Sequence, residues 1–524
     1  MERLRKAGIH AKGRTQLLLT AAEAYPALEA AFLDSRKEIH ASFRIFDLDT
    51  ELRSARARVI GRRWFDLIVD TLRRGVELHF TLADFDPCAR PKLHRLTWQS
   101  LRQFHAAAEL AGPQAKLHAR AAMHPAETGI LPRLAFWPLA LHRLRKQAAE
   151  MNGWPADERA AALRDMPGLL PYVEVAPDGH ISVPLTRLPR LRPATHHQKL
   201  AVFDRKKLYI GGLDLNDRRY DTPRHDRPGD ETWQDVQLMM EGPVVAEAQH
   251  HLESFEDICA GRAMPLPPRR LLRTLSARRG NPACHIGPKT ITNEIESAHG
   301  MLARRSKRLI YLETQYFRSR DLARTLATIG RENPQLSLIL ILPAAPDEIA
   351  FDASDDMDAR MGEHLQARAL RILRKGFGSR LFIGGAAQPR RPKPGEAENG
   401  RDTLAGAPLV YIHAKVSIFD DDAAIVSSAN LNGRSLRWDT EAGVYLRRND
   451  GIAELRKRIF GHWLPADASD AFFDPVRAVS AWRELALSNL RCAPEGRRGF
   501  ILPYDTKEAE AFGSPAPGIP DEMV

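Results

Sequence analysis

The sequence predicts an α/β protein made of two similar halves, each a sheet covered by helices. Three observations carry this. The stretch HHQKLAVFDRKKLYIGGLDLNDR, from His196, returns from Ile412 as IHAKVSIFDDDAAIVSSANLNGR and aligns without gaps. A strand–helix–strand pattern precedes each copy. The chain has 524 residues. At roughly 100–200 residues per domain that leaves room for two to four domains, enough for large cores without disulfide or metal staples.

The elements follow in order. EIHASFRIFDLD, from Glu38, reads as a strand, and RRWFDLIVDTLRRG, from Arg62, as an amphipathic helix ending at Gly75. VELHFTLADFD, from Val76, is the next strand. In the second half RLIYLETQYF, from Arg308, is a strand and SRDLARTLATIGREN, from Ser319, a helix. LSLILILPAA, from Leu336, is apolar almost throughout, as a strand buried on both faces should be. Inside each repeat copy, alternating apolar residues run up to Asp204 or Asp420 and predict a strand. A polar turn follows, Arg205-Lys206-Lys207 or Asp421-Asp422, then a short apolar run ending in small residues.

Other stretches fit no repeat. Residues 113–191 read as an insertion. RAMPLPPRRLLRTLSARRGNPAC, from Arg262, is rich in Pro and Arg and reads as a linker. GGAAQPRRPKPGEAENGRDTLAGAP, from Gly384, reads as a surface loop, and a helix over 476–490 precedes a polar, Pro-rich tail. The expected organisation is a first lobe over 1–262, a linker over 263–284, a second lobe over 285–466 and an extension over 467–524.

Composition bounds the partners. Hydrophobic residues at 44% and charged residues at 27% exclude a disordered chain. A net charge of +11 suggests an anionic partner: nucleic acid, an anionic membrane or a phosphate-bearing substrate. Cys88, Cys259, Cys284 and Cys492 form no CxxC pair, which argues against a disulfide framework and against zinc. The apolar run at 17–19 is too short for a signal-peptide core, and no segment approaches the ~20 apolar residues of a membrane span. AFWPLAL, at 135–141, is broken by Pro138 and flanked by Arg133, Arg143 and Arg145. It reads as a buried helix–turn segment in preference to a membrane-surface one.

The aligned polar positions carry chemistry. His197 meets His413, Lys199 meets Lys415, Asp204 meets Asp420, Gly212 meets Ser428 and Asn216 meets Asn432. Residues i and i+2 of a strand share a face, so each His stands beside its Lys. Histidine titrates near neutrality, lysine is a fixed cation, and asparagine adds neutral donors. Two such sets around one anion suit phosphoryl transfer with no metal or other cofactor. One His attacks phosphorus and the other protonates the leaving oxygen. A nucleophilic His needs an acceptor on its other ring nitrogen. Asp235 and Glu441, at matching places after the two copies, are the candidates.

These residues resemble the phospholipase D superfamily, whose signature is HxKxxxxD, present twice, with a small-residue loop and Asn after it. Both copies are complete here, and the resemblance covers about 38–463. It implies two pseudo-symmetric lobes, each a mixed sheet flanked by helices, with a single active site at their junction. It also implies a phosphohistidine intermediate, with Asp204 and Asp420 mainly structural. GGLDLNDRRYD, from Gly211, looks like the GG-[IL]-D-L…RWD stretch of phospholipid-cleaving members, with Tyr220 in place of Trp and Asp221 retained. YLETQYF, from Tyr311, looks like their YIENQFF. SSANLNGRS, from Ser427, looks like GSANINDRS, with Ser427 in place of Gly. These segments add Asp214, Glu313, Gln315 and Tyr316 as candidate pocket residues. The residues alone leave open which His attacks; several two-motif phospholipases use the first, which points to His197 with His413 as acid.

The expected activity is hydrolysis of a glycerophospholipid, or transfer of its phosphatidyl group to an alcohol, at an anionic membrane surface by a monomer. The alternatives are a cardiolipin-synthase-like transferase and a metal-independent nuclease. Aromatic residues at 7%, with no basic–aromatic interleaving, argue against a stable nucleic-acid partner. The expected location is cytoplasmic or peripheral to a membrane, and export without a signal peptide is compatible with it.

Overall fold

The computed structural model describes residues 14–280 and 283–524. Residues 1–13 and positions 281–282 of the predicted linker lie outside the described residues. The first sheet has seven strands: β1 (Thr15–Leu19), β2 (Glu38–Phe43), β3 (Glu77–Asp84), β4 (Leu117–Met123), β5 (Leu200–Phe203), β6 (Lys207–Gly211) and β7 (Val236–Glu241), in spatial order β1-β7-β6-β5-β2-β3-β4. The second has nine: β8 (Leu271–Ala277), β9 (Lys289–Asn293), β10 (Leu309–Thr314), β11 (Ser337–Ile341), β12 (Leu381–Ala386), β13 (Lys415–Phe419), β14 (Ala423–Ser427), β15 (Glu441–Arg447) and β16 (Ile501–Pro503), in order β9-β8-β15-β14-β13-β10-β11-β12-β16. The run β7-β6-β5-β2-β3-β4 repeats as β15-β14-β13-β10-β11-β12. In both, three antiparallel pairings are followed by two parallel ones. The duplication seen in the sequence is therefore a duplication of topology.

Strand alternation explains how the halves join. One face of each sheet packs against the other in a shared core, with Leu200, Val202, Ile210 and Leu238 from the first half and Tyr311, Val416, Ile418 and Val444 from the second. The outer face of the first sheet is covered by α1 (Thr20–Asp34), α2 (Trp64–Arg73) and α3 (Pro91–Ala111), through Phe32, Leu67, Leu72 and Phe104. A later helix, α4 (Ile130–Asn152), belongs to the insertion. The outer face of the second sheet is covered by α5 (Arg320–Glu332) and α6 (Met357–Phe377), through Leu322, Leu326, Leu370 and Leu373. The result is a four-layer α/β/β/α arrangement, with the facing sheets closing off one long junction.

Three expectations change. Leu271–Ala277, inside the predicted linker, is β8, and all seven of its residues are buried. It pairs with β15 as β1 pairs with β7, so it is the second lobe's first strand. Arg273 adds to the basic composition typical of a linker, yet it is buried, with Glu294 binding it at 2.7 and 2.9 Å. The predicted insertion also begins too early. β4, at Leu117–Met123, is the sheet counterpart of β12, and the genuine insertion follows it. That insertion has its own small core of Ala140, Leu144, Met151, Met166 and Ile181. Finally, the C-terminal extension, expected to stand apart from the second lobe, is packed into it. The helix Ala478–Arg491 buries Trp482 in the shared core, and β16 extends the second sheet.

Candidate active site

Backbone bridges across the junction position the repeated motifs. His196 bridges Thr440 and Ile412 bridges Gln234, both in parallel sense. His197 N–H donates to Thr440 O at 2.9 Å, and His413 N–H to Gln234 O at 2.8 Å. Each bridge sets the register of the next residue, so His197 falls beside Glu441 and His413 beside Asp235.

The side chains meet accordingly. His197 Nδ1 lies 2.9 Å from Glu441 Oε1, and His413 Nδ1 lies 2.6 Å from Asp235 Oδ2. Each imidazole is thus held by a carboxylate from the opposite half. A carboxylate there accepts a hydrogen bond from Nδ1–H, which keeps the ring proton on Nδ1 and leaves Nε2 as the reactive nitrogen. Lys199 Nζ donates to His197 O at 2.5 Å, Lys415 Nζ donates to His413 O, and Lys415 Nζ also reaches Gln315 Oε1 at 3.4 Å.

Burial sets the protonation states. It drives both imidazoles well below the usual histidine range, and the neighbouring Lys199 and Lys415 push them further. Both are therefore neutral at pH 7. Burial lowers Lys199 to about 8 and Lys415 to about 7, and raises Glu441 to about 8 and Asp235 to about 6. Ammoniums and carboxylates are brought into one range around neutrality, which suits a site that must give and take protons.

The small-residue loops serve the carboxylates. A Cβ on Gly212 would lie 2.5 Å from Asp235 Oδ1, so only glycine lets the short Asp side chain approach. At the matching position Ser428 Oγ donates to Glu441 Oε2. Asp204 and Asp420 stand apart from the imidazoles. Asp204 accepts from the N–H groups of Arg36, Lys37 and Glu38 at 2.8–3.1 Å, and Asp420 from those of Lys307, Arg308 and Leu309 at 2.7–3.0 Å. Each ties the repeat hairpin to the start of the neighbouring strand.

A cavity of about 320 Å³ opens at the junction. Of the predicted residues, His197, Tyr316 and Asn432 line it. Asn432 also caps a short helix through Ser435 N–H and donates from Nδ2 to Val524 O at 3.2 Å. Three other candidates do not line it, although Asp214 lies 3.7 Å from Arg44, which does. Asn216 is used as a cap, with Arg218 N–H on Oδ1 and Asp47 Oδ2 on its amide. Asp214 is buried and accepts from Ile45 N–H at 2.9 Å. Glu313 shares its strand face with Tyr311, which points into the inter-sheet core, and it accepts from Tyr311 OH and Trp463 Nε1. Gln315 reaches the site through Lys415.

Other cavity residues carried weaker sequence signals. Arg318 is buried, lies 3.9 Å over the Tyr316 ring, and has Nε and Nη2 without hydrogen-bond partners. An unpartnered buried guanidinium in a cavity wall is a receptor for an anion. It directly follows YLETQYF, and that adjacency was its only signal. Asn430 aligns with Asp214 in the repeat, so the alignment could have found it. Arg44 has no conspicuous neighbour in sequence. Phe46 bridges Leu215 as Phe317 bridges Leu431, and counting back two residues makes Arg44 the counterpart of Gln315.

Comparison with known proteins gives four findings. A family model described as "Cardiolipin synthase, PLD-like domain" matches residues 301–463, which contain the second motif. The chain is 23% identical over 354 residues to phospholipase D alpha 1 of Oryza sativa subsp. japonica, covering 46% of this chain and 44% of that one. It is 23% identical over 338 residues to phospholipase D1 of Schizosaccharomyces pombe, covering 48% of this chain and 25% of that one. The chain thus spans less than half the length of these relatives. Among solved structures, phosphatidylserine synthase of Haemophilus influenzae Rd KW20 aligns with a TM-score of 0.47 at 13% identity over 86% of each chain.

Proposed function

Because the chain belongs to the phospholipase D superfamily, we propose that it cleaves the phosphodiester of glycerophospholipids through a phosphohistidine. Water then releases phosphatidic acid, or an alcohol takes the phosphatidyl group. The observation that carries this reading is the cross-lobe pairing of each imidazole with a buried carboxylate, beside two buried ammoniums.

The steps follow from the protonation states. With the Glu441 carboxyl ionised, neutral His197 carries its proton on Nδ1 and attacks phosphorus through Nε2, forming the N–P bond. The substrate's negative charge offsets Lys199 and Lys415, so His413 now holds a proton that the empty site denies it. As the P–O bond to the headgroup breaks, His413 passes that proton to the leaving oxygen. In the second half His413 takes a proton from water or alcohol, whose oxygen displaces His197 from phosphorus. Lys199, Lys415 and Arg318 neutralise charge on the phosphoryl oxygens. The cavity suits a lipid: Arg44, Arg143 and Arg318 line it and supply positive charge for a phosphate, while Phe85, Leu93, Phe136 and Leu139 supply an apolar wall.

The test is incubation of the purified protein with mixed phospholipid vesicles and ethanol in EDTA. Phosphatidylethanol detected by mass spectrometry is the expected result. No lipid product, with cleavage of nucleic acid instead, would overturn the reading. Vesicles of phosphatidylglycerol without ethanol test a lipid alcohol as acceptor, and cardiolipin formation there would identify the synthase-type reaction.

Gly212→Ala gives a sharper check on the positioning of Asp235. The added methyl displaces the Asp235 carboxylate, and a displacement of about 1 Å near a reacting group costs about 100-fold. Turnover is expected to fall by that order with the fold retained by circular dichroism; unchanged turnover would show that Asp235 has no positioning role.

A further inference from the structure

The strongest feature that the proposed reaction leaves unused is the outward face of the first half of α4. From Ala140 onward this helix buries Ala140, Leu144, Ala148 and Met151 at helical spacing. Before Ala140 no residue of it is buried, yet the segment is apolar. Ile130, Leu131, Leu134 and Leu139 are 40–57% exposed. The buried helix–turn expected for AFWPLAL is therefore corrected: the segment is helical and stands on the surface. The small core of the insertion begins one turn too late to cover it.

This half-helix is fixed in place, not frayed. Gly129 N–H donates to His285 O at 2.7 Å, and Leu131 N–H to Ala283 O at 3.0 Å. The Arg133 guanidinium donates to Pro189 O and Leu188 O. At 100° per residue, Leu131, Leu134, Ala135 and Pro138 share one face. Continuing along the helix, the same face carries His142, Arg145 and Lys146, all exposed. The opposite flank turns inward, where Phe136, Ala140 and Arg143 line the cavity that holds His197. One helix thus presents an apolar tip and a basic collar outward, and a cavity wall inward.

We propose that the first half of α4 is a docking site for an anionic phospholipid bilayer. Ile130, Leu131 and Leu134 enter the acyl boundary, while Arg145 and Lys146 meet the headgroups and bring the cavity mouth to the membrane. The occupant follows from charge complementarity, given the basic collar and the +11 net charge, and from the continuity of the helix with the cavity. The inference rests on the lipid reading of the site.

The test uses Leu131→Ser/Leu134→Ser, since neither residue lines the cavity. In a His197→Ala background, which consumes no lipid, co-sedimentation is measured with phosphatidylcholine/phosphatidylglycerol vesicles and with phosphatidylcholine alone. The parent is expected to bind the mixed vesicles more tightly, to release with salt, and to lose at least about tenfold in affinity with the double substitution. With His197 intact, the double variant should turn over monomeric short-chain phosphatidylcholine as the parent does. Equal vesicle binding by parent and variant would overturn the proposal. So would a variant that changes only self-association by ultracentrifugation, because the face would then belong to a second copy. Vesicle binding without any lipid turnover would instead sink the enzymatic reading and leave the docking site standing.

Discussion

Turnover of phospholipid by His197→Ala and His413→Ala proteins is expected to fall by at least about 1,000-fold, because with an alkoxide leaving group neither half of the reaction proceeds without both imidazoles. Circular dichroism should remain that of the folded protein. Each truncation leaves its carboxylate near Lys199 and Lys415, so no buried charge is stranded without a partner. The two variants should differ in what they accumulate. An aryl phosphodiester has a leaving group that needs no proton, so His413→Ala should still form the N–P bond at His197. It should then stall, because no base remains to activate water. An acid-labile, alkali-stable phosphoryl group on His197, found by mass spectrometry in that variant only, is the expected result. The same adduct on His413 in the His197→Ala protein would reverse the two roles.

What could be read from the chain, and what could not, follows from where each signal lives. Local periodicity placed the helix starting at Ser319, whose hydroxyl accepts from Leu322 N–H as a cap, and the strands of both repeat copies. The pairing of two His–Lys sets was legible because a duplicated polar face stands out against variable surroundings. The cross-lobe exchange was not, since nothing along the chain tells which imidazole Glu441 will meet 244 residues away. β8 is hidden because Pro and Arg around it have the composition of a linker, and the buried Arg273 is tolerable through contacts with Glu294 and Leu266 O that the local sequence does not announce. The resemblance alone puts Glu313 in the pocket. Strand alternation with Tyr311 already argues for the opposite face, and that is where it lies. Exposure of the apolar half of α4 depends on where the insertion's core stops, which no local pattern encodes.

The cross-lobe pairing carries the second large expectation. Glu441→Gln keeps the shape of the side chain but lets an amide N–H face His197 Nδ1, which moves the ring proton to Nε2 and removes the nucleophile. Turnover should fall by about 100- to 10,000-fold, the range expected for a wrong imidazole tautomer. Asp235→Asn should do the same through His413. Imidazole ¹⁵N shifts distinguish the pairing: Glu441→Gln should perturb His197 and Asp235→Asn should perturb His413. The opposite assignment, or a shift of the imidazole in the same half, would sink the exchange. Stability should move against activity. Burial raises the Glu441 carboxyl from an unfolded value of 4.5 to about 8. The folded state therefore holds the proton more tightly than the unfolded one, and the stability this contributes at low pH is lost as pH rises through about 8. A neutral Gln carries no such loss. The melting temperature of Glu441→Gln relative to the parent should thus improve between pH 5 and about 8 while turnover collapses, and a difference that stays flat or falls over that window would contradict the buried, charge-strained carboxylate. The two backbone bridges, His196 to Thr440 and Ile412 to Gln234, make this arrangement a property of the joined lobes. Neither half contains both an imidazole and the carboxylate that orients it, so the site exists only where the two sheets meet.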